Sequence, residues 1–239
     1  MIDLFLAPVM SFLTWTPPSD DVVFTTFQQV QNVRQSETAT IPDVETLTLR
    51  DIHERRVYRA LLLLIADAEG TYPNAYGYSP YKIIFTYATF DNGYVDHPRL
   101  LQCAGDLCSD AAGMPQFLST TWDKVRSDYD HLDWPCPESQ SFCPENQELG
   151  FILYAEGAYG VWSYLTDGLQ PDGTVTDEAI YNAVSAACPG WASVPCADGV
   201  GAYDQPFHSH EWMRDQFNYY LAQQPCADGC GLIDEPIVE

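Results

Sequence analysis

Basic residues are scarce in this chain. Ten Lys and Arg stand against 34 Asp and Glu in 239 residues, a formal net charge of -24. Such an imbalance repels phosphate backbones and anionic lipid headgroups, which excludes nucleic-acid binding and firm association with a membrane surface as leading functions. The sequence also lacks any apolar run near the roughly 18 residues that span a bilayer. There is no GxSxG elbow, no HExxH helix and no GxxxxGK loop, so the common signatures of serine hydrolases, zinc proteases and nucleotide-phosphate binding are missing. No cysteine pair has CxxC spacing, and neither a metal nor a cofactor is expected.

What is present begins with eight cysteines. They fall into four sequence-local pairs: Cys103 with Cys108, Cys136 with Cys143, Cys188 with Cys196, and Cys226 with Cys230. Clustering and an even count favour disulfides over zinc. Each short loop contributes roughly 2 to 3 kcal/mol on the chain-entropy account, and the folded protein is expected to be extracytoplasmic, secreted or periplasmic. Residues 2 to 15 are largely apolar, yet Asp3 interrupts them and no Lys or Arg precedes Arg34. The positive opening of a signal peptide is therefore missing. A strand packed on the domain, or a start left by a removed leader, is the expectation.

Residues 1–50 read as an arm or linker, 51–225 as the main domain and 226–239 as a tail. From Pro17 to Asp51 the polar stretches PPSDD, QQVQN and SETAT carry little periodicity. A long helix follows, with Thr48 or Asp51 as its cap. Val57, Ala60, Leu61, Leu64, Ile65 and Ala68 lie on one face, and Gly70 is the stop. The alternation in IIFTYATF before DNG predicts a short hairpin. Further helices are expected near 115–130, 145–166, 177–187 and 209–223, with Thr176 and Ser209 capping the last two. The fold class is α+β, a mostly helical domain of two lobes with a small β-hairpin or sheet lining a cleft.

Glu69 stands at the C-terminal end of the long helix, over Leu62 and Ile65. Helix carbonyls disfavour an anion there, and apolar neighbours would desolvate it. Both effects raise a carboxyl pKa toward the range of a general acid acting on a glycosidic oxygen. Position alone favours an ordinary solvated Glu at a helix end.

Several separated words add to this. ADAEGT, then DHPR from Asp96 to Arg99, DAAGMPQFLSTTWD from Asp110 to Asp123, WASVP from Trp191 to Pro195 and GAYDQ from Gly201 to Gln205 occur in one order. Over about Leu61 to Phe217 the chain resembles the endolysin of phage lambda and its relatives, within the lysozyme-like superfamily. The resemblance implies that Glu69 is the catalytic residue. It also implies a lytic transglycosylase that cuts the bond between N-acetylmuramic acid and N-acetylglucosamine in peptidoglycan, leaving a 1,6-anhydro end. Glycan strands, peptidoglycan or chitin-type oligosaccharides, are then the expected partner.

In such a reaction the sugar's own 6-hydroxyl attacks, so one carboxyl serves as acid and then base. A hydrolase needs a second carboxylate, and Asp91, Asp96 and Asp110 are the candidates; structural roles are favoured for all three, with Asp96 tying the DHPR turn through Arg99. His97 is read as a hydrogen-bonded structural residue, the alternative being a second proton carrier. Gln116 is expected to present its amide to sugar hydroxyls and acetamido groups. Tyr203 and Gln205 match a Tyr and a Gln of the family and are expected to bind glycan from the opposite lip, with a Tyr packed on the last helix as the alternative. The chain departs from the family in having GMPQF where GRYQF or similar is usual. Met114 and Pro115 thus remove a Tyr and a basic residue, which predicts altered sugar contact. The competing readings are a lysozyme- or chitinase-like hydrolase and a wall-binding module without turnover.

Overall fold

The structure, a computed structural model, describes residues 49–224 except Ala75 and Asp204. Most of the arm, the whole tail and the Cys226 and Cys230 pair lie outside the described residues. Helix α1 runs over Leu49–Ala68. It is already helical at Leu49, so Asp51 lies inside it, and Thr48 falls outside the described residues. The predicted apolar stripe is buried throughout, and Tyr58, Leu62 and Ala66 on other faces are buried as well. A helix covered nearly all round belongs at the centre of a domain. The other helices pack about it.

Two three-residue strands, β1 (Gln102–Ala104) and β2 (Leu107–Ser109), form an antiparallel ribbon with Cys103 opposite Cys108. They are followed by α2 (Ser119–Asp128), α3 (Pro144–Tyr159), α4 (Val161–Asp167), α5 (Asp177–Ala187) and α6 (His210–Gln223). Helix α6 lies along α1, α4 packs on α5, and α2 packs on α3. Trp122, Trp162, Tyr58, Phe142 and Phe151 fill the interior between them. Among the described residues the architecture is α+β, about half helical with one small sheet. Cys103–Cys108, Cys136–Cys143 and Cys188–Cys196 are disulfide-bonded, as the local pairing predicted.

Local chemistry explains the element ends. Gly70 takes φ 71°. Its N–H reaches the Asp67 carbonyl at 2.9 Å, and the Thr71 N–H reaches that of Ala66 at 2.8 Å. This is the paired bonding that closes a helix on a left-handed glycine. Thr176 and Ser209 accept from the N–H groups of Ala179 and Trp212 and cap α5 and α6, in agreement with prediction.

Three expectations need correction. The IIFTYATF segment is not the expected hairpin: it carries a 3-10 turn at Phe85–Tyr87, one internal bridge from Ile83 to Thr89 and a second from Ile84 out to Ala112. Thr86 (φ 75°) and Tyr87 (φ 63°) leave the extended region, so a continuous ladder cannot form despite the alternating pattern. The helix expected from 115 starts at Ser119, because Gly113 (φ 79°) and Gln116 (φ 53°) turn the GMPQF word into a tight loop bridged between Ala112 and Phe117. The helix expected over 145–166 breaks at Gly160, which caps α3 at φ 64° and opens α4.

Candidate active site

Glu69 is the last residue of the α1 turn that Gly70 closes, its N–H bonded to the Ile65 carbonyl at 2.9 Å. The side chain is half-buried. Burial pushes its pKa up, and hydrogen bonds from the side chain and main chain of Ser193 oppose the rise. The Ser193 hydroxyl donates to Oε1 at 2.5 Å. The other carboxyl oxygen can therefore hold the proton that a general acid delivers.

Three words distant in sequence meet around this carboxyl. Thr71, buried one residue past Gly70, places Oγ1 at 2.7 Å from the Met114 carbonyl and 3.0 Å from that of Ala66. The EGT turn is thereby fastened to the GMPQF loop. Trp191 donates from Nε1 to the Pro115 carbonyl at 2.9 Å, which fastens WASVP to the same loop. Ser193 completes the triangle through Glu69. Gln147 of α3 backs the loop: its Oε1 accepts from the Met114 N–H at 3.0 Å, while Nε2 donates to the carbonyls of Tyr81 (3.0 Å) and Phe142 (2.8 Å).

Met114 and Pro115 are both buried. At this departure from the family word neither side chain reaches the surface. Gln116 sends its amide protons to backbone, Nε2 lying 2.9 Å from the Gly113 carbonyl and 3.2 Å from that of Ile83. Only its Oε1 is left to accept from a ligand. Tyr203 is 51% exposed, and its hydroxyl donates to the Pro189 carbonyl at 2.9 Å. A bridge from Pro195 to Gly201 sets the GAYDQ loop beside WASVP, and Gln205 donates its N–H to the Tyr203 carbonyl at 2.7 Å.

The other carboxylates are engaged with their own neighbours. Asp91 is exposed and pairs with Lys82 at 3.1 Å. Asp96 bonds Arg99 Nη2 at 3.0 Å and accepts from the Ser141 hydroxyl at 3.2 Å. Arg99 also holds Asp123 with two bonds of 2.6 and 2.9 Å. Asp110 accepts from the Ser119 N–H at 3.4 Å, at the start of α2 where that donor has no partner within the helix. His97 is buried, with Nε2 at 2.8 Å from the Phe117 carbonyl and Nδ1 accepting from the Arg99 N–H at 3.1 Å. Burial lowers its pKa. Both ring nitrogens are committed to backbone, in keeping with a structural histidine.

Ser193 was not singled out by the sequence. It lies 124 positions from Glu69, and only its place in the WASVP word hinted at it. Asp67, two residues before Glu69, accepts from the Tyr220 hydroxyl at 2.8 Å, and burial raises its pKa. His208 stacks on Trp212 with ring centroids 3.7 Å apart, and its N–H bonds the Ser193 carbonyl at 2.9 Å. Ser193 is thus held from its far side too. Among the described residues, Cys136, Cys143 and Glu145 gather potential metal-binding atoms, but both sulfurs are spent in a disulfide and no thiolate remains.

Comparison with known proteins gives the arrangement its relatives. Residues 59–148 match the family model described as Endolysin. Bacteriophage lambda lysozyme complexed with a chitohexasaccharide is similar over 69% of this chain and 94% of its own, at 26% identity and a TM-score of 0.50. A structure of lysozyme from bacteriophage lambda matches with the same coverages, 24% identity and a TM-score of 0.51, and shares the fold. No curated protein matches the chain. Among the described residues, no helix is long and apolar enough to cross a membrane. Residues 59–148 are thus similar to endolysin sequence, within an α+β domain that shares the fold of the lambda lysozyme.

Proposed function

We propose that this protein cleaves the glycan strands of peptidoglycan outside the cytoplasm, as a lytic transglycosylase with Glu69 as its catalytic acid. The observation that carries this reading is the Glu69 carboxyl itself: raised in pKa by burial, bonded on one oxygen by Ser193, and set where the EGT, GMPQF and WASVP segments converge. The endolysin match supports a wall polymer as substrate. The chitohexasaccharide bound by the lambda lysozyme supports a strand of N-acetylhexosamines. Three disulfides support an oxidising compartment.

Protonated Glu69 donates its proton to the oxygen linking N-acetylmuramic acid to N-acetylglucosamine, and the C1–O bond breaks. The muramic 6-hydroxyl then bonds to C1 and loses its proton to the Glu69 carboxylate. No water is consumed, and the acid is restored. The engagement of Asp91 with Lys82, Asp96 with Arg99 and Ser141, and Asp110 with the start of α2 favours this single-carboxyl route over hydrolysis. Gln116 through its free Oε1, with Tyr203 and Gln205 from the GAYDQ loop, would position the strand.

Digestion of purified peptidoglycan by wild type and by Glu69→Gln, with mass spectrometry of the soluble muropeptides, tests the reading. Anhydro ends, one water lighter than reducing ends and absent with the variant, are the expected products. Reducing ends would replace transglycosylation with hydrolysis. Wall binding without soluble fragments would leave a binding module.

A further inference from the structure

Beside the candidate acid lies a feature that the catalytic argument leaves unused. Tyr76, Tyr78 and Tyr87 are 50%, 49% and 47% exposed. They are grouped. Tyr76 stacks on Tyr78 with centroids 6.1 Å apart and planes 15° from parallel, and Tyr87 follows at 6.0 Å and 30°. The group abuts the acid: a carbon placed on Gly70 would stand 2.9 Å from both Cε1 and the hydroxyl of Tyr87, so that ring rests on the residue next to Glu69.

The loop that carries Tyr78 is also held in place. Asn74 donates to the carbonyls of Thr71 and Tyr78, each at 3.0 Å, and accepts from the Tyr78 N–H at 3.2 Å. It ties the tyrosine loop to the EGT turn. Tyr87 and Thr86 sit at φ 63° and 75°, a region unfavourable to a bulky or β-branched residue and retained where the surroundings or a function demand it. That unfavourable backbone turns a large ring toward solvent, where core packing offers nothing in return.

We propose that Tyr76, Tyr78 and Tyr87 form a stacking platform for a sugar ring of the glycan strand, flanking the bond that Glu69 cuts. The apolar C–H face of a pyranose fits an exposed aromatic face. Uncharged rings suit this substrate class in a chain of net charge -24, because they hold a neutral sugar without needing a cation. The platform rests on the glycan-cleaving reading above.

The test is steady-state digestion of soluble glycan strands by wild type, Tyr76→Ala, Tyr78→Ala and Tyr87→Asn, with thermal melts confirming the fold; Asn tolerates the left-handed backbone at 87. Titration of N-acetylglucosamine hexamer into Glu69→Gln, with and without the tyrosine substitutions, runs beside it. KM should rise roughly 2- to 10-fold for each ring removed, kcat should stay nearly constant, and Tyr76→Phe should retain wild-type KM. Wild-type digestion with unchanged KM in all three variants would overturn the platform and leave the cleavage reading intact. No digestion, but hexamer binding that weakens with the tyrosine substitutions, would keep the platform and overturn cleavage. Neither digestion nor binding would overturn both.

Discussion

Ser193 gives the Glu69 carboxyl a partner that works against its environment. Burial raises the Glu69 pKa, and the Ser193 bonds lower it, so the residue tunes how far the acid stays protonated. Ser193→Ala should release that restraint. With the folded pKa higher, Glu69 keeps its proton to higher pH, and the alkaline limb of the kcat profile should move upward. Loss of the 2.5 Å bond also frees the carboxyl to rotate, which should reduce kcat by roughly tenfold or more. A profile of kcat against pH separates this positioning role from a merely structural one. A uniform fall with no movement of the limb would assign Ser193 to folding alone.

At this scale the helix-end setting of Glu69 was legible because its signals are local: an apolar stripe before it, a glycine after it, and a helix end at which a carboxylate is disfavoured. Ser193 was not, because a contact across 124 positions leaves no trace in spacing. Gln116 shows a second limit. Sequence assigns it an amide, but the left-handed turn that directs both amide protons to backbone carbonyls appears only in three dimensions.

Among the elements, the GMPQF loop depends on one position. Gly113 takes φ 79° and lies against Gln147, where an added Cβ would stand 2.2 Å from Oε1 and 2.7 Å from Cδ. That side chain accepts from the Met114 N–H and donates to Tyr81 and Phe142, so it cannot withdraw without leaving buried polar groups unpaired. Gly113→Ala should therefore destabilise the fold by about 3 kcal/mol, through strain and broken bonding together. A denaturant titration would read this as a lower midpoint at constant slope. Loss below about 0.5 kcal/mol would show that the loop relaxes freely.

Helices whose ends carry their own chemistry were readable: Thr176, Ser209 and Gly70 each mark a boundary by a cap. The strands were harder. IIFTYATF alternates as a strand should, yet two consecutive left-handed residues confine its pairing to isolated bridges, and the real ribbon has strands of only three residues on either side of Gly105 and Asp106. So short a ladder carries no usable period. Gly160 was passed over because apolar residues continue on both sides of it.

For the whole molecule, acidity and burial act together. Glu148 lies fully buried on α3, where burial raises its pKa to about 7. The Tyr81 hydroxyl bonds Oε1, Oε2 has no hydrogen-bond partner among the described residues, and the charges of Arg59 and Glu145 act in opposite senses. A carboxyl whose folded pKa exceeds its unfolded value contributes stability that is fully present below the unfolded pKa and is lost as pH rises through the folded one. For Glu148 that window runs from 4.5 to about 7. Burial raises Glu69 and Asp67 too, giving contributions of the same sign. The lowered pKa values of His53, His97 and His208 act oppositely, as each favours the fold above its unfolded pKa and loses that contribution on acidification. Comparison with a variant isolates one member of this sum. Glu148→Gln keeps an acceptor for Tyr81 and cannot ionise, so its melting temperature relative to wild type should climb between pH 4.5 and 7 and level off above. A difference constant across that range would place the buried titration elsewhere, whereas a climbing one would show that the fold is best kept under mildly acidic conditions by a proton on α3.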